Sequence, residues 1–302
     1  MKSIDVVAFG TCYVDINLDS YPFGSEGISP ETELVGGSYE LTPGGSAVNF
    51  CKLLGSLGLD AAFIGMAGND NYAAILEDRL CDSHVTPHLV KRDDLQTSIS
   101  FNMTNPKGQH IMLVGGTANA ALGPTEVLPR LTERSSDTKI VYMGGCFKLK
   151  AFQHAFSEVV SLCNEHSLDL VIDHGRIPDG TPNEMKDAVK ALVIGAAYYF
   201  PSKKEFCELW QVATIEEGLT QLSLSAPNLT VIVKDGANGA YFWANNSLQH
   251  VPGQHVDTVV NATGAGDTFN AGVIKSILND DSLYDAVDYG CKIAAAKISG
   301  QG

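Results

Sequence analysis

The chain has 302 residues, 44% of them hydrophobic, which is enough to bury one large core. Its 20 basic side chains are outnumbered by 35 acidic ones, which gives a formal charge of −15. This balance repels a phosphate backbone and argues against a general nucleic-acid-binding protein, whereas a mononucleotide needs only a few local donors.

The first predicted element, residues 4–9, is a short apolar run that is interrupted by Asp5. Because it resembles neither a signal peptide nor a membrane span, we interpret it as a buried strand and expect a cytoplasmic protein with no membrane partner. The seven cysteines are scattered, odd in number and without a C-x-x-C pair. Their pattern lacks metal-ligand spacing and favours reduced thiols.

Apolar runs that end at a Gly, a Pro or a charged residue recur along the chain. Their β-branched and aromatic composition is typical of strands buried on both faces, and they occupy residues 61–64, 140–143, 168–172, 198–200 and 231–233. Between them, helical stretches are predicted over 47–57, 151–166 and 183–194. The alternation predicts a mostly parallel sheet between helices, with ligands at the carboxyl ends of its strands.

Two segments interrupt this alternation. Residues 11–43 contain strand-like runs without helical period, and residues 97–115 predict a hairpin with its turn at 105–108. We interpret both as a small β-sheet inserted into a core of residues 1–10, 44–96 and 116–302. Such a sheet can act as a lid that excludes water from a site, and the alternative is an edge of the main sheet.

A glycine-rich motif near the C-terminal end reads Asn-Ala-Thr-Gly-Ala-Gly-Asp-Thr-Phe-Asn-Ala-Gly over residues 261–272. Apolar residues at four-residue spacing follow it and predict a helix from about Gly264. The first turn of such a helix offers N–H donors and partial positive charge to a phosphoryl group. Asp267 in this turn has two interpretations, a complement to the helix dipole or a general base.

A second motif, Pro-Gly-Gly-Ser-Ala-Val-Asn over residues 43–49, precedes the first predicted helix. Its paired glycines can form a hinge or let a substrate approach the backbone closely. The amide of Asn49 can hydrogen-bond hydroxyl groups through both its oxygen and its nitrogen. The alternative is a glycine turn with a capping Asn.

The order and separation of the two motifs resemble those of the ribokinase, or PfkB-type, carbohydrate kinases. Stretches at residues 65–70, 116–120 and 231–240 are also similar to the family, so the resemblance covers nearly the whole chain. It implies a three-layer, Rossmann-like α/β/α core of the ribokinase type with a small β-sheet lid. The implied reaction moves the γ-phosphate of ATP, with Mg²⁺, to a hydroxyl of a ribose-, fructose- or sugar-acid-like substrate.

The resemblance also implies a role for individual residues. Asp267 is the implied catalytic base, and the helix start supplies the anion hole through Gly264, Ala265, Gly266 and the N–H of Asp267 itself. The implied substrate contacts are Asp15, Gly45 and Asn49. The implied nucleotide-side residues are Lys234, Gly236, Gly239 and Thr263, and Glu205 matches a magnesium-associated position.

Two departures from the family pattern concern cations. Asn261 stands where an Asp commonly helps to form a monovalent-cation site, and an amide keeps a carbonyl ligand but loses the charge, which weakens the expectation of potassium activation. Ser202 replaces the Asn of the magnesium-associated motif and can still bind a metal-bound water. The lysines at 203–204 either contact phosphates or are solvated, and the solvated interpretation is favoured.

Other departures concern the acceptor. The stretch from Asp173 to Arg176 is one residue shorter than the family's Asp-x-Asn-x-Arg, so Arg176 either reaches phosphate or an acidic substrate or pairs with a surface acid. Ser46 replaces a ribokinase Lys, and Cys146 falls where a hydroxyl-binding acid is expected. Ribose is therefore not secured, and a phosphorylated sugar is disfavoured because the lid segments supply one basic residue, Lys107.

Three other functions are compatible with parts of the sequence. A nucleoside kinase of the same fold would stack a base on lid aromatics, for which Tyr13, Tyr39 and Phe101 are candidates. The retention of Asp267 and its glycines argues against a non-catalytic sugar- or nucleotide-binding protein, whereas Asn261 and Ser202 leave this alternative open. A nicotinamide dehydrogenase is disfavoured because the first strand lacks a following G-x-G-x-x-G. The partner implied by the resemblance is a second copy of the chain, in a homodimer through the lid.

Overall fold

The central element is a nine-stranded sheet with the order β13-β12-β11-β10-β9-β8-β1-β4-β5. The computed structural model describes residues 4–18, 21, 23, 29, 33–35, 37–105, 110–260 and 262–300. All neighbours from β5 to β11 are parallel, and β12 and β13 extend the edge antiparallel. The strands are β1 (Val6–Gly10), β4 (Ala61–Gly68), β5 (Val85–Arg92), β8 (Ile140–Gly144), β9 (Asp169–Asp173), β10 (Tyr198–Tyr199), β11 (Thr230–Lys234), β12 (Ala240–Ala244) and β13 (Ser247–Val251).

Ten helices accompany the two sheets in the described part of the chain. They are α1 (Ser46–Ser56), α2 (Asn71–Asp82), α3 (Ala118–Ala121), α4 (Pro124–Arg134), α5 (Phe156–Glu165), α6 (Asn183–Ile194), α7 (Lys203–Trp210), α8 (Ile215–Ser225), α9 (Ala265–Leu278) and α10 (Leu283–Ile298). No helix in the described ranges is long and apolar enough to cross a bilayer.

Two hydrophobic clusters cover the faces of the main sheet. In β1, Val7 and Phe9 contribute to the cluster under α3–α8, whereas Val6 and Ala8 contribute to the cluster under α1, α2, α9 and α10. All four side chains are fully buried, as the continuous apolar run predicts for a strand covered on both faces. The expected three-layer α/β/α core with a mostly parallel sheet is confirmed.

A second, four-stranded sheet has the order β3-β2-β6-β7, and we call it the lid sheet. Its strands are β2 (Tyr13–Leu18), β3 (Tyr39–Gly44), β6 (Ile99–Thr104) and β7 (His110–Gly115). The predicted hairpin forms between β6 and β7, and β2 pairs in parallel with β6. The separate small sheet is confirmed, and the alternative of an edge of the main sheet is excluded. The proposed limits of core and lid, residues 11–43 and 97–115 for the lid, remain a prediction.

One helix begins later than the sequence predicts. The predicted helix over 151–166 starts at Phe156, because residues 146–152 form two 3₁₀ turns at the carboxyl end of β8. Gly145 has φ 75° and reverses the chain directly after the strand. The reversal holds Lys148 next to the lid sheet instead of in a helix on the face of the core.

Candidate active site

Helix α9 begins at the carboxyl edge of the main sheet, where the glycine motif predicted it. Gly264 has φ 77°, which lets the chain turn sharply into the helix. The N–H of Ala265 donates to the carbonyl of Ala262 at 3.2 Å, so this donor is already used by the turn. The N–H groups of Gly266 and Asp267 have no carbonyl one turn earlier in the helix, because they lie in its first turn. These two are the better candidates for the predicted anion hole.

A hydrogen bond joins the two sequence motifs. The amide of Asn49, in the first turn of α1, donates from Nδ2 to Oδ2 of Asp267 at 3.0 Å. The N–H of Asn49 donates to the carbonyl of Gly45 at 2.8 Å, so the glycine turn places the amide. The two residues are 218 positions apart in the chain. The contact orients the Asp267 carboxylate at the positive end of α9.

Behind this carboxylate lies a buried polar network. Lys234, at the end of β11, donates from Nζ to Oδ2 of Asp173 and to Oδ1 of Asn270, each at 3.0 Å. Asn270 in turn donates to Oδ2 of Asp173 at 2.6 Å and to the hydroxyl of Tyr142 at 3.2 Å. The side chains of Lys234 and Asp173 are 13% and 7% exposed, so this ion pair is almost fully shielded from water.

Lys234 also reaches the helix start. A Cβ built on Gly266 would lie 3.5 Å from the Lys234 Nζ, so the ammonium is a direct neighbour of the predicted anion hole. A side chain at this position would fill the space between the ammonium and the N–H donors. Glycine at 266 therefore keeps a cation and two backbone donors open to the same anion.

The carboxylate of Asp267 is protonated more readily than an ordinary aspartate. Burial raises its pKa to about 7, and the negative charge of Asp173 adds to the rise. The hydrogen bond from Asn49 and the ammonium of Lys234 oppose the shift. The pKa of Asp173 is lowered by its ion pair with Lys234, so the pKa values of the two carboxyl groups shift in opposite directions. A carboxyl group with a pKa near neutrality suits proton transfer.

Asp15 lies on β2 of the lid sheet, where its carboxylate covers Gly44. A Cβ on Gly44 would come within 1.9 Å of Oδ2 of Asp15, so only glycine leaves room for this side chain. Burial raises the pKa of Asp15 to about 6, while a hydrogen bond with Ser100 lowers it. Gly45, with φ 100°, continues the turn into α1. A chain of contacts from the lid sheet to Asp267 thus includes the predicted substrate residues Asp15, Gly45 and Asn49.

Glu205 is held by the start of α7. Its Oε2 accepts the N–H of Ser202 at 2.8 Å, and the hydroxyl of Ser202 accepts the N–H of Glu205 at 3.3 Å. This reciprocal cap leaves the other oxygen, Oε1, without a hydrogen bond in the described part of the chain. The charge of Glu205 contributes to the raised pKa of Asp267, which places it on the same side of the site.

The remaining predicted nucleotide-side residues lie around the turn between β11 and β12. Gly236 has φ 57° and Gly239 has φ 91°, and a Cβ on Gly239 would come within 2.1 Å of the carbonyl of Val251. Thr263 is exposed in the turn before α9. Asn261 lies outside the described residues. In the described part of the chain, no hydrogen bond links Gly236 or Gly239 to Asp267.

Sequence reasoning missed the residues that join the core to the lid sheet. Asn119 accepts the N–H of Cys12 at Oδ1 and donates to its carbonyl from Nδ2, both at 2.9 Å. Asp70 accepts the hydroxyl of Thr97 at 2.7 Å and its N–H at 3.0 Å. Both acceptors lie in stretches that resemble the family, 116–120 and 65–70. Their positions after predicted strands signalled importance, but their role required the placement of the lid.

Three other expectations concern charged or thiol groups. Lys203 forms an exposed ion pair with Asp235 at 3.1 Å, so it is engaged at the surface. Lys204 is exposed, as the solvated interpretation predicts. Cys146 is fully buried among apolar side chains, and burial raises its pKa. All seven cysteines are free thiols.

Comparison with known proteins adds a family match and several relatives. The model of the pfkB family carbohydrate kinases matches residues 3–302. A ribokinase of Staphylococcus aureus is 25% identical over 307 residues, which cover 98% of this chain and 94% of that protein. A 5-dehydro-2-deoxygluconokinase of Bacillus subtilis is 23% identical over 311 residues, covering 99% of this chain and 91% of that protein.

The fold is also shared with solved structures. An E. coli structure described as a ribokinase II in complex with ATP and Mg²⁺ superposes with a TM-score of 0.82. Its sequence is 22% identical, and the match covers 98% of this chain and 93% of that one. At this identity the likeness concerns the fold, and the chemistry depends on the side chains described above.

Proposed function

The chain belongs to the pfkB family of carbohydrate kinases, and we propose that it transfers the γ-phosphate of ATP to a sugar hydroxyl with Asp267 as the general base. Family membership makes the chain an ATP-dependent sugar kinase. The observation that supports the role of Asp267 is its hydrogen bond with Asn49 at 3.0 Å. This contact holds a carboxylate of raised pKa between the substrate residues and the helix start.

The proposed chemistry begins with the acceptor. A neutral alcohol is a poor nucleophile, so a carboxylate must accept its proton as the oxygen attacks phosphorus in line with the leaving group. The pKa of Asp267 near 7 makes the group ionised in a large share of molecules at neutral pH and still basic enough to take the proton. Asn49 fixes the carboxylate through Oδ2, which leaves Oδ1 to face the hydroxyl.

The phosphoryl group is received by the start of α9. We assign the N–H groups of Gly266 and Asp267, with the ammonium of Lys234 beside Gly266, to the oxygens of the transferring group. Donors that are already in place need no reorganisation when charge develops in the transition state. The ion pair with Asp173 holds the ammonium in position at 3.0 Å.

ATP and Mg²⁺ fit the residues present. Magnesium keeps several waters and bridges phosphate oxygens, so it needs few protein ligands, and the described residues contain no cluster of three or more metal-binding side chains. Glu205 offers its free Oε1 for a metal-bound water, while Oε2 stays in the helix cap. The bound ion would neutralise phosphate charge. We place the nucleotide next to Lys234, Gly236, Gly239 and Thr263.

The acceptor is held from the lid side. We assign Asp15 to the sugar hydroxyls, because its carboxylate is half-buried above Gly44 with a pKa near 6 and can accept hydrogen bonds. The nucleoside alternative loses one of its aromatic candidates, since Tyr13 is buried and the Lys148 Nζ lies 5.2 Å from the centre of its ring. A base therefore finds no open face on Tyr13.

Two further features belong to the proposal. The lid sheet exposes apolar side chains, with Tyr39 at 70%, Met112 at 49% and Leu113 at 56% exposure, which supports a homodimer through this sheet. The cytoplasm is the proposed location. We expect weak or absent potassium activation because Asn261 lacks a negative charge.

The experiment that tests the proposal is an ADP-release assay with Mg²⁺ and ATP. The acceptor panel contains ribose, fructose, sugar acids and nucleosides, each with and without potassium. Strong turnover on a sugar or sugar acid is expected, with a change of less than about twofold on adding potassium. Turnover restricted to nucleosides, or ATP binding without any turnover, would contradict the proposal.

A further inference from the structure

A lysine approaches the sugar end of the site from the core rather than from the lid. Lys148 lies in the first 3₁₀ turn after β8, and its Nζ is 5.2 Å from the ring centre of Tyr13 on β2. The ring faces the ammonium and the aliphatic part of the lysine is half-buried. The ammonium therefore lies at the junction of core and lid sheet. It contacts Tyr13 on β2, the strand that also carries Asp15 two residues further on.

A second cation belongs to the neighbouring loop. The N–H of Gly145 donates to the carbonyl of Asp173 at 2.9 Å, and a Cβ on Gly175 would lie 3.6 Å from Cα of Gly145. These contacts hold the turns after β8 and β9 side by side. Arg176 follows directly and is exposed. Its positive charge lowers the pKa of Lys148.

Neither cation has a partner of opposite charge within ion-pair distance among the described residues. Two other lysines are paired, Lys234 with Asp173 at 3.0 Å and Lys203 with Asp235 at 3.1 Å. A half-buried ammonium without a partner is costly, and burial is the main cause of the lowered pKa of Lys148. The chain thus keeps a partly desolvated positive charge open beside its own substrate pocket.

Asp15 supplies the negative charge that acts on Lys148, but it does not neutralise the ammonium through an ion pair. Its charge raises the pKa of Lys148 without forming an ion pair, and Lys52 faces the same carboxylate from α1. Two cations, Lys148 and Lys52, therefore act on this carboxylate, and the charge of Arg176 acts on Lys148. A neutral sugar would leave the excess positive charge uncompensated, whereas an anionic sugar would compensate it.

We infer that the sugar kinase accepts a monosaccharide that carries an anionic group, a carboxylate or a phosphate, and that Lys148 and Arg176 bind this group. The inference rests on the proposed function and names its substrate class. Lys148 supplies a charge-assisted hydrogen bond, and Arg176 supplies a planar fork that suits either anion. Asp15 then accepts the hydroxyls next to the anionic group, and the reacting hydroxyl lies toward Asp267.

The test measures kcat and KM of the purified full chain with Mg²⁺ and ATP on three sets of acceptors. The sets are neutral sugars (ribose, fructose), sugar carboxylates (gluconate and its dehydro-deoxy derivatives) and sugar phosphates (ribose 1-phosphate). Each is assayed with the wild type, with Lys148→Met, which keeps an apolar stem over Tyr13, and with Lys150→Met. Lys150 is exposed two residues further on, so this control removes the same charge outside the junction.

We expect the highest kcat/KM on one of the anionic sets, and its identity distinguishes carboxylate from phosphate. Lys148→Met is expected to lower kcat/KM for that acceptor by about 10- to 100-fold, mainly through KM, as for the loss of a hydrogen bond to a charged group. Neutral acceptors and Lys150→Met are expected to change by less than about threefold. Lys148→Arg, which retains the charge, is expected to restore most of the loss.

A second readout needs no variant. Raising the ionic strength should increase KM for the anionic acceptor of the wild type and leave KM for neutral acceptors unchanged. A preference for neutral sugars, or an equal loss on neutral and anionic acceptors in Lys148→Met, would overturn the inference while the sugar kinase stands. An absence of turnover on every sugar would remove the proposed function together with it.

Discussion

The positive charges at the two ends of the site differ in whether they are paired with a carboxylate. At the phosphate end, Lys234 is paired with Asp173 at 3.0 Å and both side chains are nearly shielded from water. At the sugar end, Lys148 interacts electrostatically with both Asp15 and Arg176, and neither cation has an ion pair in the described ranges. A fixed charge suits a group that is the same in every turnover, the phosphate of ATP. An open charge suits the group that distinguishes one acceptor from another.

The backbone shows the same contrast. The phosphate end is formed by strands and helices of the core, with Gly266 and Asp267 in the first turn of a fourteen-residue helix. The sugar end is completed by a separate sheet that is attached to the core through the hydrogen bonds of Asn119 and Asp70. Changes at the first end should therefore affect kcat, and changes at the second end should affect KM for the acceptor.

The largest effect is expected from Asp267→Asn. The amide keeps the size of the side chain and can accept the hydrogen bond of Asn49, but it cannot take the proton of the acceptor. We expect kcat to fall by about 10³-fold or more, in the range known for loss of an essential catalytic group, with ATP binding unchanged. Rapid-quench or coupled ADP assays measure the loss, and calorimetric titration measures ATP binding. Near-normal turnover would exclude Asp267 as the base.

The next effect tests the fixed charge of the phosphate end. Lys234→Met removes the ammonium beside Gly266 and leaves Asp173 buried without its partner. We expect kcat to fall by about 10²-fold and the free energy of unfolding to fall by about 3–5 kcal/mol. Denaturant unfolding and steady-state assays measure the two losses.

The matched control is Lys203→Met, which breaks the exposed ion pair with Asp235 at the surface. Exposed ion pairs contribute little, so this variant should keep both its unfolding midpoint and its kcat. Equal losses in the two variants would show that the charge of Lys234 has no special place in the site.

The sequence predicted the frame of the site better than its contacts. Apolar runs and helical spacing located the buried strands, and the helix predicted from about Gly264 begins at Ala265. These features depend on local patterns of burial, which a single chain displays. The resemblance named Asp267 and Asn49 separately, but their hydrogen bond joins positions 218 residues apart and needed the folded chain.

The sugar end was the least predictable part. No motif in the sequence singles out Lys148. The basic residue that the sequence analysis considered for the sugar end, Lys107 in the lid segments, lies outside the described residues. The glycine at 145, with φ 75°, ends β8 and sends Lys148 toward Tyr13. Pairing of a core loop with a lid strand depends on how the two sheets meet, and no local pattern encodes that meeting.

A smaller effect is expected from Gly44→Ala, which tests the sugar end through its backbone. The new methyl group would lie 1.9 Å from Oδ2 of Asp15 and must displace this carboxylate. We expect KM for the acceptor to rise by about tenfold, with KM for ATP unchanged. The control is Gly115→Ala in β7, whose new methyl group would meet an ordinary contact with Ile99 at 3.8 Å. A rise in KM for ATP instead would contradict the division between the two ends.

The most specific effect, of about the same size, is the pH dependence of kcat/KM, which reports groups of the free enzyme. The base must be ionised, and the pKa of Asp267 is near 7, so kcat/KM should rise about tenfold between pH 6 and pH 8 and then level off. Asp15, with a pKa near 6, should add a second, lower transition to kcat/KM that is absent from kcat, for which the acceptor is saturating. A profile that is flat above pH 5 would contradict the raised pKa of Asp267.

The pH dependence of folding stability tests the raised pKa of Asp267 independently of the kinetics. Because burial raises the pKa of Asp267 above that of an unfolded aspartate, its ionisation costs stability, and the cost grows as the pH rises from about 4 through 7. Asp267→Asn removes this cost. The melting temperature of the variant, relative to that of the wild type, should therefore be higher at pH 8 than at pH 5. An equal gain at both values would mean that Asp267 is ionised throughout, and the phosphate end would then owe its chemistry to the helix start and Lys234 rather than to a base poised near neutrality.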